Sequence, residues 1–232
     1  MLKPEGVIKF HDVWQQGPLP DSPLLWELCR WRNLLFRCGL IGATDGVGYG
    51  NLSVRCGEGV HFFITGSGTG CLPELRPEHC AEVFAVDIEH NRLFSRGLVR
   101  ASSESLSHAA LYRSSPLIGA VLHVHHHGLW QRLRGRVPTT EEHYTYGTPE
   151  LALALQSLYH RFSLGQRGLI VMGGHPDGLL SFGATLEEVA SLVLEALQTE
   201  GLPPTVSPGY SAPPEHLPGG NRVPDPRDSA PQ

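Results

Sequence analysis

The stretch Leu117–Gly128, LIGAVLHVHHHG, constrains this chain more than any other. An apolar run rich in Val, Ile and Leu reads as a buried strand. Side chains two apart on a strand share a face, so His123 and His125 point one way while Leu122 and Val124 point the other. A lone histidine at a strand end is most often hydrogen-bonded or wet. Two on one face at the end of a buried strand favour a shared metal ion, with a third ligand from elsewhere in the chain. By the same alternation His126 faces away from His125, and His127 is read as a neighbour of the site or a solvated side chain.

A chain of 232 residues has room for one large domain or two small ones. Its 41% hydrophobic and 18% charged content is that of an ordinary globular protein. A formal net charge of −5, with only Lys3 and Lys9 as lysines and no basic run, argues against a general nucleic-acid or membrane-surface binder. No apolar run approaches the roughly 18 residues of a membrane helix, and Met1–Phe10 lacks a signal-peptide core, so a cytoplasmic location is expected. Five cysteines (29, 38, 56, 71 and 80) never form C-x-x-C and read as reduced thiols.

Residues 1–20 are mixed and end in an entry loop, Gly17-Pro18-Leu19-Pro20. Ser22 and Pro23 then start an amphipathic helix, with Leu24, Leu25, Leu28, Trp31, Leu34 and Leu35 at helical spacing and Gly39 as its stop. After a glycine-rich turn at Gly46–Gly50, strands are expected at Asn51–Arg55 and Val60–Thr65. The second runs into Gly66-Ser67-Gly68-Thr69-Gly70, where backbone N–H groups and hydroxyls suit either a plain turn or an anion cradle. Strands at Glu82–Asp87 and Arg92–Phe94 precede a helix opened by Ala101-Ser102-Ser103-Glu104. Ser102 or Ser103 is its expected cap, and Glu104 favours the helix dipole in the first turn. A short helix is expected over Leu129–Arg136, another from Thr148-Pro149, and a last one from Thr185 to about Leu197. Between the last two, the buried strand Gly168–Met172 enters the turn Gly173–Gly178, which carries His175, and Leu179–Phe182 returns beside it. The final 32 residues hold nine prolines and no hydrophobic period, so the division expected is a single domain over 1–200 and a Pro-rich tail over 201–232.

Glu104, His123, His125 and His175 can converge if their strands are neighbours. The pieces GYGNLSVR (48–55), FITGSG (63–68), SSESLSHAALY (102–112), AVLHVH (120–125), YGTPELA (146–152) and GLIVMGGHPDGLLSFG (168–183) follow one another in an order that resembles the class II aldolase/adducin family. Each piece alone is weak, but the ordered set spans about residues 25–200.

The resemblance implies an α/β fold of three layers, α/β/α, with a central mainly antiparallel sheet. It implies a divalent metal, commonly zinc, with manganese, cobalt or ferrous iron as alternatives, held by His123, His125 and His175. Glu104 matches the family's general acid/base. Asn51, Ser67, Gly68, Ser102 and Ser103 match positions that hold substrate phosphate, and Tyr144 or Tyr146 matches a catalytic tyrosine, Tyr144 being preferred. The implied reaction is a retro-aldol cleavage of a small hydroxy-carbonyl compound or sugar phosphate, in which the metal stabilises an enediolate. Dehydration, as in the methylthioribulose-phosphate dehydratases, and epimerisation use the same logic, and a non-catalytic adducin-like module is the alternative from another class. A homotetramer with sites between subunits, a small-molecule substrate, and neither nucleic acid nor membrane as partner complete the expectation.

Overall fold

The computed structural model describes residues 6–204; the expected tail lies almost wholly outside them. Its strands are β1 (His11–Gln16), β2 (Gly42–Thr44), β3 (Val47–Tyr49), β4 (Asn51–Arg55), β5 (Phe62–Thr65), β6 (Cys80–Asp87), β7 (Arg92–Gly97), β8 (Ala120–His125), β9 (Gly168–Val171) and β10 (Gly178–Gly183). Its helices are α1 (Pro23–Arg37), α2 (Ser105–Ser114), α3 (His127–Leu133), α4 (Pro149–Arg161) and α5 (Leu186–Thr199). Eight strands form one sheet in the order β1-β7-β6-β5-β4-β8-β10-β9, antiparallel throughout except for β1 beside β7.

The sheet separates two cores. On one face α2 and α4 pack Leu106, Ala109, Ala110, Leu151 and Leu155 against Phe62, Ile64 and Val121. On the other, α1 and α5 pack Leu25, Leu28, Leu35, Val189 and Val193 against Leu52, Leu122 and Val124. The strand β8 is therefore covered on both sides, which is why its sequence is apolar at nearly every position up to His123. Helix α2 is buried on almost every side, and its Ala and Ser residues let the sheet and α4 approach it closely.

Caps and turns account for most boundaries. Thr148 and Thr185 accept hydrogen bonds from Leu151 N and Glu188 N at the starts of α4 and α5, and Gly39 follows α1 with φ of 67°. Four local readings are refined. The N-terminal stretch, read as mixed with a loop at its end, contains the edge strand β1, whose register on β7 runs from His11–Arg92 to Gln16–Gly97. The glycine-rich turn is a hairpin, β2–β3, closed by Asp45 and Gly46 with φ of 52° and 78°, the left-handed pair that a two-residue hairpin turn requires. Neither Ser102 nor Ser103 caps α2, because Glu104 itself occupies the N-cap position. The Ser102 hydroxyl instead accepts from Glu104 N at 3.3 Å, forming a small turn that frees the glutamate side chain to leave the helix end. The short helix after the histidines also starts earlier than its apolar residues suggested: His126 caps it, its Nδ1 accepting from Leu129 N at 3.1 Å. Among the described residues no helix is long and apolar enough to cross a membrane.

Candidate metal centre and substrate cavity

Strand register brings the histidines together. His123 of β8 lies opposite Asn51 of β4 on one side and Leu180 of β10 on the other, while His125 lies opposite Gly178. His175 stands in the turn between β9 and β10, tied by His175 N to Met172 O at 3.2 Å and by Gly178 N to His175 O at 3.0 Å. The His125 Nε2 is 3.1 Å from His123 Nε2 and 2.8 Å from His175 Nε2. His123 donates Nδ1–H to Leu179 O at 3.0 Å, which leaves the lone pair of its neutral ring on Nε2, facing the other two.

The carboxylate of Glu104 closes the group. Its Oε2 lies 3.0 Å from His123 Nε2 and accepts from the Asn51 amide at 3.3 Å. Its other oxygen, Oε1, is buried without a hydrogen-bond partner, as is Asn51 Oδ1. Orphaned buried acceptors are rare and call for a cation or a donor from outside the chain. Burial would push the Glu104 carboxyl up, but the charge and hydrogen bond of His123, backed by His175 and His125, hold it well below the usual carboxylate range.

Three imidazole nitrogens and a carboxylate concentrate electron density at one point, and a divalent cation is the group that satisfies it. Tetrahedral bonds of about 2.0 Å separate ligand nitrogens by roughly 3.3 Å, close to the spacing present. His123, His125 and His175 thus fit a three-ligand metal centre with room for substrate. Below them, His108 Nδ1 and the Tyr112 hydroxyl meet Ser53 Oγ at 2.7 and 2.9 Å, and burial holds the His108 imidazole neutral, its pKa pushed down to about 3.

Two cavities flank the group. One, of about 320 Å³, is lined by Asn51, Ser67, Gly68, Ser102, Ser103 and Glu104, so every residue matched to phosphate binding faces a single space. The other, of about 390 Å³, is lined by Lys9, Tyr49, His125, Tyr146, His175 and Asp177. Tyr146 stands 5.1 Å from the His175 ring, and Tyr49 stacks on His125 at 5.2 Å. Tyr144 lines a different cleft, with Thr139, Glu150 and Arg161. His126 serves as a helix cap, and His127 is an exposed partner of Asp177 at 2.6 Å. Sequence reasoning missed Lys9. Its ammonium donates to Tyr146 O at 2.7 Å and lies 3.5 Å from the centroid of that ring. The signal available was its rarity, since it is one of only two lysines.

One glycine sets the position of the third histidine. A Cβ at Gly178 would fall 2.3 Å from His175 Cδ2 and 3.0 Å from its carbonyl oxygen, so the imidazole occupies space only glycine leaves. Gly178→Ala is expected to tilt His175 and weaken metal binding by about tenfold, the cost of disturbing a ligand's orientation. A metal titration of the folded variant with unchanged affinity would show that this packing is not what aims the ring.

Comparison with known proteins fits this architecture. Residues 27–130 match the family model described as Class II Aldolase and Adducin N-terminal domain. That match spans just under half of the chain and includes Glu104, His123 and His125, and the fold agrees with it. Among solved structures it resembles YgbL from Klebsiella pneumoniae, a putative aldolase/epimerase/decarboxylase, with 24% identity over 77% of this chain and 86% of that one and a TM-score of 0.58. An L-fuculose 1-phosphate aldolase gives 24% identity, 82% and 93% coverage, and a TM-score of 0.58. A sugar-phosphate aldolase from Thermotoga maritima gives 16% identity, 76% and 91% coverage, and a TM-score of 0.59. At these identities the likeness establishes the fold. No curated protein matches the chain in sequence.

Proposed function

We propose that the chain is a divalent-metal-dependent lyase that cleaves a small hydroxy-carbonyl compound by a retro-aldol reaction. The convergence of three imidazole Nε2 atoms beside the buried carboxylate of Glu104 carries this reading. His123, His125 and His175 would hold the ion, zinc being the first choice for a three-imidazole set. When bound, the ion supplies Lewis-acid stabilisation of the negative charge that develops on the carbonyl fragment. Glu104, ionised at rest, exchanges a proton with the substrate carbon, and the Asn51 amide holds the carboxylate in position. Ser67, Gly68, Ser102 and Ser103 offer hydroxyl and backbone donors to an anionic group such as a phosphate. Tyr146 flanks the same centre, and Tyr144 lines the cleft beside it. An interaction module without catalysis leaves no role for a buried carboxylate with an orphaned oxygen.

Incubation of zinc-loaded protein with a panel of ketose and aldose phosphates, followed by product analysis, tests the reaction type. Two shorter carbonyl products are expected, and their absence alongside a dehydrated or epimerised product would replace cleavage by that reaction on the same residues. The anion pocket has its own test. Inorganic phosphate should compete with substrate, and Ser103→Ala should weaken that inhibition about fivefold, equivalent to about 1 kcal/mol for one hydrogen bond. An enzyme indifferent to phosphate, with unphosphorylated substrates preferred, would remove the phosphate assignment.

A further inference from the structure

A second group of metal-ligating side chains lies away from the histidine centre. Cys56 directly follows β4, His61 directly precedes β5, and Cys56 N donates to His61 O at 3.0 Å, so the two residues face each other across a hairpin. Glu82 of β6 lies opposite Phe63 of β5, and Phe63 lies opposite Val54 of β4. Counting by twos, Cys56, His61 and Glu82 fall on the same face of three adjacent strands, the face covered elsewhere by α1 and α5. Their ligand atoms all lie within 4.8 Å of one another.

We propose that Cys56, His61 and Glu82 form a second cation site that takes a zinc-class divalent ion. A thiolate, an imidazole and a carboxylate together favour borderline or soft transition metals over magnesium or calcium. Several features prepare the site. Glu82 is 7% exposed, and its two oxygens are divided: Oε2 accepts from Arg96 Nε and Nη2 at 3.0 and 2.5 Å, while Oε1 faces His61 Nε2 at 2.8 Å. Arg96 thereby fixes the carboxylate and leaves Oε1 directed at the imidazole. Gly57 lets that imidazole fold back over the hairpin, since a Cβ there would meet His61 Nδ1 at 2.4 Å. The His61 side chain is one-third exposed, so an ion can enter from solvent and keep a water ligand. Arg96 opposes a cation here, and burial with Glu82 nearby pushes the Cys56 thiol up to about 12. The bound ion would staple the β4–β5 hairpin to β6, at the opposite end of β4 from Asn51 and His123.

The test uses full-length protein stripped with chelator, reloaded with zinc or cobalt and freed of excess metal. Wild type should carry about one more zinc per chain than Cys56→Ser or His61→Ala. Its cobalt form should show a thiolate-to-metal charge-transfer band that both variants lack. His175→Ala, which disables the first centre, should keep that band, so failure of one site is read separately from failure of the other. Equal zinc content in wild type, Cys56→Ser and His61→Ala would overturn the proposal, as would cobalt-loaded wild type without the band.

Discussion

Glu104→Gln is expected to lower turnover by about 100-fold or more while the protein stays folded and keeps the ion at its histidine centre. The substitution preserves shape and the capacity to accept from the Asn51 amide, but it removes the group that can take and return a proton. If Glu104 merely complemented the α2 dipole, its loss would cost only about 0.3–1 kcal/mol of stability and leave turnover alone. The structure makes that second role a poor description, because the carboxylate bonds no N–H of its own helix and turns toward His123 instead. Turnover, metal content and melting temperature measured together on this variant separate the two. Near-normal turnover would end the acid/base assignment even with the metal centre intact.

The fold was legible where side-chain periodicity and caps agree. Residues 51–55 form the strand their sequence suggests, and the helices after Thr148 and Thr185 begin where those caps place them. The convergence of Glu104 with the three histidines was anticipated only because ordered motifs resemble a family; spacing alone gives the His123–His125 pair and no partner. The reason is topological. His175 reaches His125 through the β8–β10 pairing, a contact across 50 residues that no local pattern encodes.

What escaped has equally specific causes. Strand β1 carries His11, Asp12, Gln15 and Gln16 among its six residues, and as an edge strand it is only partly covered, so it shows no apolar run. It is held by its pairing with β7 and by Asp12, which accepts from Ser95 Oγ at 2.9 Å and from Arg100 at 2.8 Å. The segment leading into it carries Lys9, whose backbone carbonyl accepts from Asn91 Nδ2 at 3.0 Å, and this anchoring brings the lysine to Tyr146. Both facts depend on partners more than 80 residues distant. The two tyrosines differ for a similarly local reason. Gly147 turns with φ of 67° directly after Tyr146, pressing it under Lys9 and beside His175, while Tyr144 lines a cleft with Glu150 and Arg161.

Removing single ligands should expose the division of labour inside the centre. His175→Ala is expected to reduce affinity for the triad's ion by at least about 100-fold, beyond the cost of disturbing an outer partner. Because His175 sits on a turn, the metal-free variant should melt close to the metal-free parent. His123→Ala should lose the same ion and also destabilise the metal-free chain by about 3 kcal/mol. Its ring is fully buried between β4 and β10, bonds Leu179 O, and is the nearest partner of the Glu104 carboxylate. Without it, that carboxylate remains in the interior with the Asn51 amide as its hydrogen-bond donor and its nearest imidazole gone. Metal content by elemental analysis and urea unfolding of chelator-treated samples provide both readouts. Unchanged metal content in both variants would remove the centre; equal unfolding midpoints would instead show that Glu104 does not depend on His123 for its place in the folded chain.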